Sequence, residues 1–156
     1  MRLEYHVKNE AELLHLAGQL ANLISGNTLI RLVGNLGAGK TTFARGMLRA
    51  YGYNGAVKSP TFTLVEPYAL QWGQVYHFDL YRLNDPGELM YLGVEDYLRD
   101  GRLCLVEWPE KAEGLLPQGD LSIALSGTGD ERDIVIRATS DSGKDICHKL
   151  HEVHQP

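Results

Sequence analysis

GNLGAGKTTFARG, residues 34–46, carries the strongest pattern in this chain and sets the fold to expect. Gly34, Gly39, Lys40 and Thr41 match the phosphate-loop pattern GxxxxGK[ST]. Glycines let successive backbone N–H groups approach phosphate oxygens without clashes from Cβ atoms. The segment therefore predicts a binding site for nucleotide phosphates.

The residue types within this loop predict separate contacts to a nucleotide. Lys40 is expected to reach the β and γ phosphates, and the Thr41 hydroxyl is expected to bind Mg²⁺. A helix that begins near Gly39 would point its positive end at the same phosphates. We expect the nucleotide to be held by a run of consecutive residues: Gly37, Ala38, Gly39, Lys40, Thr41 and Thr42.

The loop is flanked by the elements that the motif requires, a strand before it and a helix after it. The apolar run TLIRLV, 28–33, predicts the strand, and KTTFARGMLRAY, 40–51, predicts the helix. Upstream, apolar residues at helical spacing predict a helix over about residues 10–24. Asn9 and Glu12 predict a capping box at the start of that helix.

The remainder of the chain continues to alternate between strands and helices. Further strands are predicted at 61–66, 75–79 and 103–107, with two short helices between the last two. The segments LSIALS and RDIVIRA flank a glycine-rich turn and predict an antiparallel hairpin. The prediction is therefore one α/β domain over 1–156, with the three-layer P-loop NTPase fold and a mainly parallel sheet with an antiparallel edge hairpin.

Composition sets limits on function. The net charge of −5 argues against a broad nucleic-acid-binding surface. No apolar run approaches membrane-spanning length, so we expect no membrane association. Cys104 and Cys147 match no metal or disulfide framework, which favours free thiols and a cytoplasmic location.

Two acidic residues at predicted strand ends are candidates for catalysis and metal binding. In such sites Mg²⁺ takes a second protein contact from an acid at the end of a buried strand. LCLVE ends in Glu107 after four apolar residues, and VYHFD ends in Asp79. Glu107 is the better candidate for the metal, whereas Asp79 would position the attacking water or contact the metal through water. Either residue could instead be a solvated carboxylate at a strand end.

The segment KSPTFTLVEPY, 58–68, is a candidate switch loop. Ser59 precedes Pro60 and is therefore biased towards an extended conformation, and Thr61 follows at the junction with the predicted strand. Switch loops of nucleotide hydrolases sense the γ-phosphate and Mg²⁺ through contacts of this kind. The alternative is an ordinary turn that enters a strand.

Three segments in a fixed order carry a more specific pattern: GNLGAGKTTFARG, then SPTFTLVEPY, then HFDLYRL, followed by VEWPEK. Together they resemble the TsaE family of small bacterial P-loop ATPases, over about residues 6–139. The resemblance implies a part in forming threonylcarbamoyladenosine at position 37 of tRNAs that read codons beginning with A. It also implies two partner proteins, TsaD and TsaB, only indirect involvement with tRNA, and an ATP cycle that restores the complex between turnovers.

The resemblance also implies roles for individual residues. Lys40 would bind phosphate, and Thr41 and Glu107 would hold Mg²⁺. Thr61 would belong to the switch segment, and Asp79 would assist hydrolysis.

Other positions match the family only in part. Trp108 matches a Glu-Trp pair of the family, although a packed indole is the ordinary alternative. Arg132 lies where the family often has an arginine near the nucleotide, with a surface arginine as the alternative. Asn35 stands where Asp is frequent, which predicts altered tuning of the loop rather than loss of binding. A threonine that the family often supplies near the base is not evident.

Two histidine-containing segments receive ordinary interpretations. The end of the chain, with His148, His151 and His154 near Cys147, is expected to be a solvated polar tail rather than a metal site. His77, inside a predicted strand, is expected to be a core or partner-facing histidine rather than a catalytic base.

Four functions remain to be distinguished. A partner-dependent ATPase agrees with the residues and with the resemblance. A small-molecule kinase is the main alternative, but residues 109–120 hold no arginine that would mark a lid. A GTP switch lacks the guanine-reading N-K-x-D sequence, which favours ATP as the nucleotide. A scaffold that does not hydrolyse nucleotide would leave the two acids without a function.

Overall fold

A seven-stranded sheet positions the phosphate loop. The computed structural model describes residues 1–154. The strands are β1 (Arg2–Val7), β2 (Thr28–Val33), β3 (Val65–Ala69), β4 (Gln74–Asp79), β5 (Leu103–Glu107), β6 (Leu121–Ser126) and β7 (Arg132–Ala138). The helices are α1 (Glu10–Ala21), α2 (Lys40–Ala50), α3 (Gly87–Leu92), α4 (Val94–Asp100) and α5 (Asp141–Val153), with a 3₁₀ helix at Pro109–Ala112.

The centre of the sheet is parallel and both edges are antiparallel. The strand order is β1-β7-β6-β2-β5-β4-β3, and β6, β2, β5 and β4 run parallel to one another. The predicted α/β class and the hairpin of β6 and β7 are confirmed. The antiparallel pair of β3 and β4 adds a second antiparallel edge that the sequence did not indicate.

Apolar cores on both faces of the sheet produce three layers. On β2, Ile30 packs with α1, α2 and α5, whereas its neighbour Leu29 packs with α3, α4 and the 3₁₀ helix. On β5, Leu105 and Cys104 divide between the two cores in the same way. Successive side chains of a strand point to opposite faces, so a strand covered on both faces is apolar throughout its length.

The structure shows that two of the predicted elements were wrong. The strand predicted at 61–66 begins only at Val65, because residues 61–63 form a turn and Leu64, at φ 68°, donates its N–H to the Pro60 carbonyl. The predicted polar tail is helix α5 instead, whose cap Ser140 accepts a hydrogen bond from the Gly143 N–H at 2.9 Å.

Burial explains why the tail is helical. Ile146, Cys147 and Leu150 are buried in the core beside α1, so the polar side chains occupy only the outer face of α5. Cys104 and Cys147 are both free and buried. Within residues 1–154 there is no group of three or more His, Cys, Asp or Glu side chains that could hold a metal ion.

The start of the chain also differs from expectation. β1 was not predicted, and it pairs with β7 at the edge of the sheet. Helix α1 ends at Ala21 rather than near residue 24. Its cap is confirmed, since the Glu12 N–H donates to the Asn9 side chain at 3.0 Å, but the Glu12 carboxylate accepts from the Lys8 N–H. None of the helices in the described part of the chain is long and apolar enough to cross a membrane.

Candidate nucleotide site

A cleft of about 340 Å³ opens beside the N-terminus of α2. Every residue that the sequence indicated for the site lines this cleft: Gly37, Ala38, Gly39, Lys40, Thr41, Thr42, Ser59, Thr61, Asp79, Glu107, Trp108 and Arg132. Parallel strands β2, β4 and β5 all end at the edge of the sheet where the cleft lies. This is where ligands bind in open parallel sheets.

The turn of the phosphate loop requires glycine at particular positions. A Cβ atom on Gly34 would lie 2.6 Å from the Leu125 carbonyl oxygen, which is too close for any side chain. Gly39 caps α2 in the left-handed conformation, with φ 105°. The loop therefore turns tightly from β2 into α2, and the N–H groups of the first turn of α2 face the cleft.

Lys40 is held at the base of the cleft. Its Nζ donates to the carbonyl oxygens of Gly34 and, at 3.3 Å, of Asn35, and it lies 3.9 Å from the centre of the Trp108 ring. Burial lowers the pKa of Lys40, and the nearby carboxylates, Glu107 first among them, oppose that shift. The ammonium group is thus surrounded by groups that favour a positive charge.

Thr41 and Glu107 meet where the loop approaches the end of β5. Thr41 Oγ1 donates to Glu107 Oε2 at 2.8 Å, and the Glu107 side chain is only 4% exposed. A hydroxyl and a carboxylate oxygen are ligands that Mg²⁺ prefers. A second donor, His77 Nε2, lies 2.6 Å from the same Oε2 atom.

Asp79 lies at the end of β4, directly opposite Glu107 in the pairing of β4 with β5. Its Oδ2 accepts hydrogen bonds from the Ser59 hydroxyl and, at 3.4 Å, from the Thr61 hydroxyl. Its Oδ1 accepts from the Tyr81 backbone N–H at 2.9 Å. The candidate switch segment is therefore attached to the cleft through this carboxylate.

Trp108 closes one side of the cleft. Its backbone is in the left-handed conformation, with φ 58°, directly after β5. This turn places the indole against Lys40 and 4.9 Å from the Tyr81 ring, centre to centre. Trp108 is partly buried, and its contact with Lys40 distinguishes it from an indole that only fills the core.

Arg132 lines the cleft but directs its guanidinium at the backbone of the loop. Its Nε donates to the Ala38 carbonyl at 2.9 Å, and another guanidinium nitrogen donates to the Gly37 carbonyl at 3.0 Å. The third nitrogen donates to the carbonyls of Gly129 and Glu131, in the turn between β6 and β7. In this arrangement Arg132 ties that turn to the phosphate loop.

The structure adds residues that the sequence did not indicate for the site. Asn9, Glu10 and Leu13, at the start of α1, also line the cleft. Tyr81 lines it beside Trp108. His77 was expected to be a core or partner-facing histidine, and it is fully buried. Its position two residues before Asp79 on one strand is a signal that both side chains point to the same face.

Comparison with known proteins gives concordant results. The family model for "Threonylcarbamoyl adenosine biosynthesis protein TsaE" matches residues 7–134. A relative from Haemophilus influenzae, tRNA threonylcarbamoyladenosine biosynthesis protein TsaE, is 48% identical over 118 residues, 76% of this chain and 75% of the relative. The protein of the same name from Bacillus subtilis is 35% identical over 150 residues, 96% of this chain and 94% of the relative. The crystal structure of Bacillus subtilis YdiB superposes with a TM-score of 0.84 at 31% identity, covering 97% of this chain and 95% of that one.

Proposed function

This chain belongs to the TsaE family of threonylcarbamoyl adenosine biosynthesis proteins, and from that premise we propose that it is a Mg²⁺-dependent ATPase. It supports formation of the threonylcarbamoyl group on adenosine 37 of tRNAs that read codons beginning with A. It acts in the cytoplasm through the TsaD–TsaB complex and meets tRNA only indirectly. It is not itself the transferase.

The observation that carries the proposal is the pairing of Asp79 with Glu107 beside the phosphate loop. Both acidic residues are buried, yet both line an open cleft. Buried acids at a cleft beside a phosphate loop are suited to binding a metal and to orienting a water molecule. A protein that only bound nucleotide would have no need for the second carboxylate.

The donor set fits Mg²⁺. Thr41 and Glu107 would hold the ion, because their oxygens already lie within hydrogen-bonding distance of each other at the end of the loop. When bound, Mg²⁺ neutralises charge on the phosphate oxygens. Lys40 would exchange its contacts with the Gly34 and Asn35 carbonyls for contacts with the β and γ phosphates.

Asp79 would orient the attacking water, and its present contacts are the basis for dependence on a partner. Oδ2, the oxygen that faces the switch segment, is engaged by the hydroxyls of Ser59 and Thr61. While those contacts persist, water has to compete for that oxygen, and the chain alone should hydrolyse ATP slowly. A partner that draws residues 59–61 away would free Oδ2 and assemble the site.

The remaining site residues support the loop. Trp108 keeps Lys40 in place through the face of its ring, and the N–H groups of residues 37–42 would surround the phosphates. Arg132 would preserve the shape of the loop through its contacts with Gly37 and Ala38. ATP is preferred over GTP in this proposal, and competition binding with the two nucleotides tests that preference.

The decisive experiment measures ATP hydrolysis by the purified chain, alone and with TsaD–TsaB, together with repeated rounds of tRNA modification. We expect slow hydrolysis alone, acceleration by the pair, and association that depends on whether an ATP analogue, ADP or no nucleotide is present, since only differential affinity couples ATP to assembly. Equal association in all three states, with no effect on repeated modification, would contradict the proposal. Rapid phosphorylation of a metabolite by the isolated chain would establish the kinase alternative instead.

A further inference from the structure

His77 has a fully buried polar side chain, which forms a hydrogen bond with the Glu107 carboxylate. The residue has 0% exposure, and its Nε2 lies 2.6 Å from Glu107 Oε2. The other ring nitrogen, Nδ1, is buried without a hydrogen-bond partner. A polar ring in an apolar core costs free energy unless its hydrogen bonds compensate, so the contact with Glu107 accounts for a histidine at this position.

The register of the sheet explains how a side chain from the middle of β4 reaches the end of β5. Val75, His77 and Asp79 point to one face of β4, and their partners on β5 are Leu103, Leu105 and Glu107, in that order. His77 lies directly opposite Leu105 and extends one step further, to Glu107. It is therefore the polar side chain between the apolar core and the two acids.

The direction of the hydrogen bond follows from the chemistry of the acceptor. An ionised carboxylate only accepts, so Nε2 carries the proton and donates to Oε2. Thr41 Oγ1 donates to the same oxygen at 2.8 Å. Two donors therefore hold Oε2 in place, and neither of these contacts involves the other carboxylate oxygen, Oε1.

We propose that His77 is a positioning residue that orients the Glu107 carboxylate for Mg²⁺ through the hydrogen bond from Nε2. The inference rests on the proposed function only in so far as Glu107 holds the metal; it does not require that ATP be hydrolysed. When Mg²⁺ binds, the Thr41 hydroxyl would turn from Glu107 to the ion, and His77 would become the donor that keeps Oε2 in place. Partners of this kind affect metal affinity or activity by about 10–100-fold.

Three substitutions separate positioning from packing. His77→Leu fills the space without a donor, and His77→Gln places an amide N–H near the position of Nε2. His77→Asn carries the same amide on a shorter side chain that cannot reach Oε2. Leu105→Val is the matched control, because Leu105 is also fully buried and lies directly opposite His77 but has no polar contact with Glu107.

The measurement is the affinity for ADP by calorimetry, with and without Mg²⁺, so that metal coupling is read independently of turnover. In His77→Leu and His77→Asn we expect ADP affinity without Mg²⁺ to be unchanged and the gain in affinity on adding Mg²⁺ to fall by about tenfold or more. His77→Gln should retain most of the gain, and Leu105→Val should behave like the unmodified chain. Circular dichroism identifies any variant that fails to fold, and the Gln and Asn pair then decides the outcome.

Several results would overturn the inference. An equal loss of Mg²⁺ coupling in Gln and Asn variants, or a comparable loss in Leu105→Val, would show that packing alone matters. Intact coupling in a folded Leu variant would show that Glu107 needs no second donor. Failure of the proposed function is separate: absence of ATP hydrolysis, with Mg²⁺ coupling that still follows the donor at residue 77, would refute the ATPase and support the role of His77.

Discussion

The two walls of the cleft are held in different ways. The phosphate loop is stabilised by contacts with other parts of the chain. Arg132 donates to the Gly37 and Ala38 carbonyls, and helix α2, which follows the loop, is buried along one face. The opposite wall, residues 59–64, has no helix or strand, and its Phe62 is 84% exposed. It reaches the cleft through the hydroxyls of Ser59 and Thr61 on the Asp79 carboxylate.

Under the proposed function, nucleotide binding is expected at the phosphate loop and the response to a partner at residues 59–64. The loop already presents its N–H groups to the cleft, because backbone geometry and the Arg132 contacts determine its shape. The segment 59–64 has no regular secondary structure, and Phe62 and Thr63 at its centre are exposed, so we expect its centre to move at a lower cost in free energy than the loop. We therefore expect a change at Asp79 to move this segment more than the loop.

The largest effect is expected from removing the positive charge of Lys40 in the phosphate loop. Lys40→Ala removes the ammonium group that would contact the phosphates, and we expect kcat/KM for ATP to fall about 10²–10³-fold, with weaker binding of an ATP analogue. The matched control is Lys144→Ala, an exposed lysine on α5 away from the cleft. Normal turnover in a folded Lys40→Ala variant would refute the assignment of this loop.

Glu107→Ala should separate hydrolysis from binding. We expect kcat to fall about 10²-fold while affinity for an ATP analogue changes much less, because the metal matters most where charge develops in the transition state. Asp79→Ala, measured in parallel, should lower kcat while the gain in nucleotide affinity on adding Mg²⁺ stays nearly normal. If Asp79→Ala abolished that gain and Glu107→Ala were silent, the roles of the two acids would be reversed.

The role of residues 59–64 is tested by Ser59→Ala, which removes the hydroxyl group that donates to the Asp79 carboxylate. Because this hydroxyl occupies the oxygen that would orient water, its loss should raise ATP hydrolysis by the chain alone by about tenfold and reduce the further stimulation by the partner, with little change in ATP affinity. Thr63→Ala is the control, since Thr63 belongs to the same segment but contacts the Val65 carbonyl instead. Equal effects of the two substitutions would mean that the contact with Asp79 is not the means of response.

A smaller effect is expected at Arg132, whose guanidinium donates to the carbonyls of the phosphate loop. Arg132→Ala should weaken ATP-analogue binding by about threefold to tenfold, because partly exposed hydrogen bonds to the loop carbonyls each contribute modestly. Arg132→Lys should restore little, since an ammonium group cannot reproduce the planar set of donors. Arg137→Ala, on the same strand but exposed, is the control. A loss of catalysis without a loss of affinity would indicate direct contact with the transferred phosphate.

The smallest effect, a change in stability, is expected at His6, which contacts the residues on either side of Arg132, Glu131 and Asp133. Hydrogen bonds from the His6 ring to the carboxylates of Asp133 and then Glu131 raise the pKa of His6, and Arg132 donates to the Glu131 carbonyl. The folded state binds the proton more tightly, so the stabilisation is complete below the unfolded pKa of about 6.5 and is lost as the pH rises through the folded value. His6→Gln should therefore lower the melting temperature slightly at acidic pH and hardly at alkaline pH. A larger difference at alkaline pH would contradict this sign.

Local patterns were sufficient for the loop and for most of the elements around it. The glycines of the loop, the apolar run before it and the helix after it all depend on neighbours in the chain, so the sequence predicted β2 and α2 closely. The acids were proposed because each is the last residue of a predicted strand, and the carboxyl ends of parallel strands meet at one edge of the sheet.

Other elements depend on contacts that are distant in sequence. Strand β1, RLEYHV, alternates polar and apolar residues, but so short a segment becomes part of the sheet only through pairing with β7, which is distant in sequence. Helix α5 looked like a polar tail because the apolar face formed by Ile146, Cys147 and Leu150 is narrow, and burial beside α1 gives that face its significance.

By itself, the sequence determined the phosphate loop, the α/β class and the candidate acids, since each follows from the order of residue types along short segments. Only the tertiary structure decided which groups contact those acids. His77 meets Glu107 because β4 and β5 pair in one register, and Arg132 meets the loop because the hairpin of β6 and β7 packs beside β2. A shift of one residue in either register would turn these side chains to the opposite face, so their positions are properties of the assembled sheet.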